Sequence, residues 1–189
     1  MLEAVGRKGR SMLRLCCFVI VCVLAPLVVR GQPSVPADPF RSVEFLIGHW
    51  QGTTEGQPGN GTVVREYSRV LNSRFIRVRN HSTYPPQPAN PKGEVHEDEG
   101  FISFDRARQK LILRQFHVEG FVNQYVEDDG STAQKLVFTS EQIENIPTGF
   151  RARETYVVIG ADEFEEVFEL AEPGKQFEVY SRARLRRTR

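Results

Sequence analysis

From residue 49 to the C-terminus the chain is a succession of short segments in which apolar and polar positions alternate, each closed by turn residues. A period of two puts alternate side chains on opposite faces of a β-strand. The pattern predicts ten strands: His49–Thr54, Gly61–Val70, Arg74–His81, Val95–Asp105, Lys110–Val118, Phe121–Glu127, Lys135–Ser140, Arg151–Ile159, Glu163–Ala171 and Phe177–Arg187. Asn72-Ser73, Asp128-Asp129-Gly130, Gly160-Ala161-Asp162 and Glu172-Pro173-Gly174-Lys175 have the chemistry of hairpin turns. Glu119-Gly120 is a tight turn or a bulge. Strands joined mostly by hairpins imply up-and-down order, and closure removes the exposed edges of so long a sheet. The expected fold is all-β: a closed antiparallel barrel of about ten strands over residues 40–189. Pro39–Ile47 is expected as a short helix or turn. Two connections are longer, the Pro-rich Ser82–Glu94 and Glu141–Phe150, and longer loops on a regular scaffold tend to carry function.

The N-terminal pattern is different. Arg7, Lys8, Arg10 and Arg14 precede the uncharged apolar run Leu15–Val29, and Gly31 follows, with Val29 two positions before it. A basic leader, a short apolar helix and a small residue at the cut predict a signal peptide over residues 1–31. The run is shorter than the ~20 apolar residues that span a bilayer. Residues 32–39 read as a polar, Pro-rich linker. The expected location is the periplasm or the exterior, with no membrane span once the leader is cleaved.

Composition sharpens this. All three cysteines (Cys16, Cys17 and Cys22) lie in the leader, so the rest of the chain has no thiol nucleophile, disulfide or thiolate ligand. Loss of the leader takes the net charge from +1 to −3, a poor balance for a nucleic-acid binder. The arginines of the last strand (Arg182, Arg184, Arg186, Arg187) are expected to face Glu163, Glu165 and Glu169 across an antiparallel pair.

Gly48-His49-Trp50 opens the first strand and resembles the Gly-x-Trp motif of lipocalins and their calycin relatives. The resemblance implies that Trp50 plugs one end of the barrel beneath a basic side chain of the last strand, with Arg184 as the partner. The longer phrase Phe45-Leu46-Ile47-Gly48-His49-Trp50-Gln51-Gly52 is similar to the opening of nitrobindin-like haem-binding barrels. With Glu119-Gly120-Phe121-Val122 and Phe177-Glu178-Val179-Tyr180 it also resembles a related exported bacterial domain of unknown function. The resemblance implies haem as one occupant. Nitrobindin-like members hold the iron through a His near the C-terminal strand, whereas Phe177–Arg189 contains none. Tyr180 and His117 are the remaining candidate ligands.

Other candidate chemistry comes from strand faces. Phe164, Glu166, Phe168 and Leu170 share a face that must point inward, which buries Glu166. The face Arg151, Arg153, Thr155, Val157 and Ile159 is expected to be inward on the preceding strand, so that Arg153 pairs with Glu166. Asn123 and Tyr125 alternate with Phe121 and are expected to line the same interior. His96, within Glu94-Val95-His96-Glu97-Asp98-Glu99, has no second His at alternating or helical spacing and reads as a solvated strand boundary. No nucleophile elbow, zinc-protease helix, phosphate loop or dinucleotide fingerprint is present. The leading expectation is a barrel holding a small hydrophobic or amphipathic molecule through Arg153, Glu166, His117, Asn123 and Tyr125. The alternatives are a cavity enzyme of isomerase or hydrolase type using His117 and Glu166, and a filled barrel with a structural or interaction role.

Overall fold

The computed structural model describes residues 38–88 and 90–188. The expected signal peptide over residues 1–31 and most of the expected linker lie outside these residues. A 3₁₀ turn, Arg41–Leu46, precedes ten strands: β1 (Gly48–Gly56), β2 (Gly61–Val70), β3 (Phe75–Tyr84), β4 (Glu94–Asp105), β5 (Lys110–His117), β6 (Val122–Glu127), β7 (Lys135–Glu144), β8 (Arg151–Gly160), β9 (Glu163–Ala171) and β10 (Glu178–Arg187). Every strand pairs antiparallel with its sequence neighbours, and β1 pairs with β10 to close the barrel. All ten predicted strands are present. Among the described residues no helix is long and apolar enough to cross a membrane.

One end of the barrel is plugged. The 3₁₀ turn buries Val43 and Leu46 over Trp50, whose indole N–H donates to the Leu46 carbonyl at 2.7 Å. Phe164 meets the indole edge-on at 4.7 Å between centroids. The strand register sets Trp50 opposite Arg187, whose guanidinium carbon lies 4.1 Å from the indole centroid. Arg187 also donates to the carbonyls of Phe45 and Ile47, at 2.9 and 2.5 Å, which ties the last strand to the plug. Gly48 makes room for this: its φ is +128°, and a Cβ there would sit 2.6 Å from Arg187 Nη1. The plugging cation is therefore Arg187 rather than Arg184. Arg184 sits on the alternate, outer face and pairs with Glu163 at 2.7 Å. Arg187→Ala is expected to lower stability by about 2 kcal/mol in urea unfolding, through the lost cation–π contact and carbonyl bonds. Arg184→Ala should leave the midpoint unchanged.

The outer face of β9 and β10 carries the cross-strand charges expected of it. Arg182 lies 3.6 Å from Glu165, and Arg184 and Arg186 share Glu163. Glu169 departs from this scheme, pairing with Arg153 instead.

Candidate functional site

The interior is built in layers. Beside the plug, Tyr67, Ile76, Leu111, Leu136, Phe138, Tyr156, Phe164 and Leu185 are buried and fill the closed end. One or two steps further along the same strands the inward residues become polar: Arg65, Asn80, Asp98, Gln115, Asn123, Glu154 and Glu166. Above them the barrel is hollow. The cavity has a volume of about 470 Å³ and continues to the mouth. Its upper wall is largely apolar, with Tyr84, Ile143, Phe150, Phe168, Leu170 and Tyr180 among its lining residues.

Arg65 and Glu166 meet at the floor of this cavity, from β2 and β9. Arg65 Nη2 donates to Glu166 Oε1 at 2.8 Å and Nε donates to Oε2 at 3.1 Å, a two-pronged pair. Nη1 donates to Ser82 Oγ at 3.2 Å and to the backbone carbonyls of Val64 and His81. Burial works against the guanidinium charge, but the adjacent Glu166 more than compensates and raises the Arg65 pKa above its ordinary value. Glu154, from β8, is also buried, yet among the described residues no cation forms an ion pair with it and its Oε2 has no hydrogen-bond partner. Burial first, then the charges of Glu166 and Asp98, push its pKa well above the usual carboxylate range. The shift favours the protonated form of Glu154, which is an O–H donor in the cavity wall beside the ion pair.

A second polar series runs from the floor to the rim. Asp98 Oδ1 accepts from Asn80 Nδ2 at 2.9 Å and from Gln115 Nε2 at 3.1 Å. Asp98 Oδ2 lies 3.7 Å from His96 Nε2, and Glu119 Oε1 lies 2.8 Å from His96 Nδ1. Burial opposes a charge on His96, but its bonds to these two carboxylates outweigh it and push the pKa up to about 9. His117 Nδ1 is 3.3 Å from His96 Nε2, and His117 Nε2 is 3.1 Å from the Asn123 side-chain nitrogen. Burial holds His117 below the ordinary histidine value. Asn123 Nδ2 donates in turn to Tyr125 Oη at 2.7 Å.

Several sequence expectations land in this cavity. Glu166, His117, Asn123 and Tyr180 all line it, while Tyr125 is fully buried beneath Asn123. Arg153 does not. Its strand has the opposite phase: Ala152, Glu154 and Tyr156 point inward, and Arg153 lies outside, bonded to Glu169 at 2.7 and 2.9 Å and over the Phe177 ring. The partner of Glu166 is Arg65. Arg65 and Glu154 were missed, although Val63-Arg65-Tyr67 shows the same alternation that placed Glu166 inside. His96 is half-buried rather than solvated, and its partner His117 arrives through strand pairing. His117 and Glu166, the proposed catalytic couple, share no hydrogen bond; each is held by other residues.

The longer loops divide the work unequally. Glu141–Phe150 contributes Ile143, Ile146, Pro147 and Phe150 to the cavity, since β7 runs on to Glu144. The Pro-rich segment is shortened by β3, and Gln87 ties it to the first hairpin through Asn60, at 2.8 and 2.9 Å.

The fold has known counterparts. The crystal structure of Rv2717c from M. tuberculosis matches with a TM-score of 0.61 at 17% identity, covering 82% of this chain and 99% of that one. A redesigned β-barrel, b11L5F_LGL, matches with a TM-score of 0.43 at 10% identity, over 79% and 96% of the two chains. No protein-family model and no curated protein matches the sequence. The similarity to Rv2717c is one of fold, that of a closed antiparallel barrel.

The residues present do not fit a haem iron. His117 Nδ1 faces another imidazole at 3.3 Å, where no porphyrin plane can enter, and its Nε2 faces Asn123. Tyr180 packs edge-on against Phe168, and burial raises its phenol pKa, which disfavours the phenolate an iron ligand requires.

Proposed function

We propose that this chain is an exported binding barrel that holds a small amphipathic molecule with its polar end down. The observation that carries this reading is the cavity: about 470 Å³, with apolar walls above and Arg65, Glu166 and Glu154 below. That volume falls within the ~300–1,000 Å³ usual for small-molecule sites, where a few polar groups orient a mostly apolar ligand. The ion pair and the neutral acid offer both donors and acceptors, which suits a head group carrying a hydroxyl, carbonyl or carboxyl. Isolation from catalytic geometry supports holding over turnover: the interior acid has no paired base. Export is supported by the basic leader, the short apolar run and the confinement of cysteine to that segment. The similarity to calycin-type openings supports a carrier, and the donor set supports an occupant other than haem.

A fluorescent fatty-acid probe tests this. The protein is expected to bind the probe in the cavity, and Ser181→Trp, placed at the lining, should weaken binding at least about tenfold, or 1.4 kcal/mol, without changing the unfolding midpoint. Equal binding by the two proteins would place the probe outside the barrel and remove the proposal.

A further inference from the structure

We propose that the mouth of the barrel holds a divalent transition-metal ion of the zinc type, ligated by His96, His117 and Glu119. These residues are far apart in sequence and meet through the β4–β5 register. Asp98 is paired with His117, and the same count places His96 opposite Glu119 just beyond the end of β5. Both histidines share the inward face. Their facing nitrogens, His96 Nε2 and His117 Nδ1, are 3.3 Å apart. Two nitrogens bound to a tetrahedral zinc at about 2.05 Å each stand about 3.3 Å from one another, so the spacing is that of two ligands on one ion. Each of the three residues offers a ligand atom within 4.8 Å of the other two. Glu119, exposed at the rim, reaches the ion by a rotation from its present bond to His96 Nδ1.

The surroundings are those of a metal site. His117 is steered from behind: the Asn123 carboxamide stands 3.1 Å from its Nε2, where its unpartnered oxygen, turned over, accepts the Nε2–H that a metal-bound Nδ1 requires, and Phe121 stacks on the ring at 4.1 Å and 20°. Asp98 Oδ2, 3.7 Å from His96 Nε2, adds negative charge beside the ion and is itself fixed by Asn80 and Gln115. Three protein ligands leave a coordination position open, the arrangement of zinc centres that bind a further molecule. His96, His117 and Glu119 all line the large cavity, so that position faces its interior. This inference stands whether or not the cavity holds an amphipathic ligand.

Cobalt(II) added to the full-length chain is the probe. One equivalent is expected to give the visible d–d bands of a nitrogen–oxygen site, without the near-ultraviolet charge-transfer band of a thiolate, and to be displaced by zinc. His96→Ala and His117→Ala should each abolish the bands, Glu119→Gln should weaken binding, and Asn123→Ala should weaken it by about 10–100-fold. His81→Ala, on the outer face with Glu97, should leave the bands unchanged. Near-ultraviolet circular dichroism from Trp50 checks that each variant is folded. Because Glu119 is exposed, Glu119→Gln serves as the decisive variant if a histidine variant does not fold. Absence of d–d bands, a thiolate band from Cys16, Cys17 or Cys22, or bands that persist in folded His96→Ala, His117→Ala and Glu119→Gln would each overturn the proposal.

Discussion

Arg65→Met should destabilise the barrel by about 3–5 kcal/mol, enough to consume much of the ~5–15 kcal/mol that holds a domain of this size together. The reason is what the substitution leaves behind. Glu166 is 9% exposed and takes two charge-assisted bonds from Arg65; without them a carboxylate is stranded in the barrel floor. Ser82 Oγ and two carbonyls lose a donor at the same time. Removing both charges is a different matter. Arg65→Met with Glu166→Leu should recover most of the loss, because paired charges and a well-packed apolar pair of similar volume are close in stability. Equilibrium urea unfolding followed by the fluorescence of Trp50, the only tryptophan, measures both proteins and the coupling between them. A single-variant loss below about 1 kcal/mol would show that Glu166 finds water or another partner instead. If the pair does bind a head group, the double variant should be stable yet unable to take up the fatty-acid probe.

How far these residues were visible in the sequence depends on what alternation can report. Hairpin turns and period-two runs delineate all ten strands, because a closed sheet needs an inside and an outside at every strand. In the lower half of the barrel Tyr67, Leu111 and Leu113, and Leu136 and Phe138 point inward, although Ile112 and Val137 between them are buried as well. The upper half departs from this, since its interior is polar. On β8 the set Thr155, Val157 and Ile159 is more β-branched than Ala152, Glu154 and Tyr156, so hydrophobicity favours the wrong face by one residue. Once the phase slips, Arg153 goes in and Glu154 goes out, and the partner assigned to Glu166 changes with them. The plug illustrates a smaller error of the same kind. Arg184, Arg186 and Arg187 are all basic, and only the pairing of Trp50 with Arg187 selects among them. The histidine pair was beyond spacing rules altogether, since 21 residues separate the two and only the register of β4 on β5 joins them.

These two halves assign different tasks to the same strands. The lower layer carries the packing that closes the barrel, so the upper layer is free to keep polar groups and open space. That division explains why the cavity stops where Tyr67, Tyr156 and Phe164 begin, and why the polar residues cluster directly above them. Chemistry in this barrel is confined to the levels where apolar side chains are not needed to hold the sheet together.

Glu154→Gln should make the protein more stable as the pH rises, which is the reverse of the usual result for removing a carboxylate. Glu154 faces Glu166 from the adjacent β9 and Asp98 from β4 across the interior, with Arg65 of β2 as the opposing charge, and burial is the largest force keeping its proton on. In the unfolded chain the same side chain titrates near ~4.3. Between that value and the raised folded value, the folded state binds a proton that the unfolded state has lost. Stability therefore falls with increasing pH across this window, by up to about 1.4 kcal/mol for each unit, and the loss levels off once the folded pKa is passed. Glutamine keeps the shape of the neutral acid and cannot ionise when the chain unfolds. Wild type and variant should match near pH 4 and then diverge in the variant's favour as the pH rises towards the raised folded pKa, in urea unfolding series at constant ionic strength. A constant difference across that range would mean that Glu154 titrates alike in both states. The buried acid would then be ionised in the folded barrel, where Arg65 would have to serve two carboxylates at once.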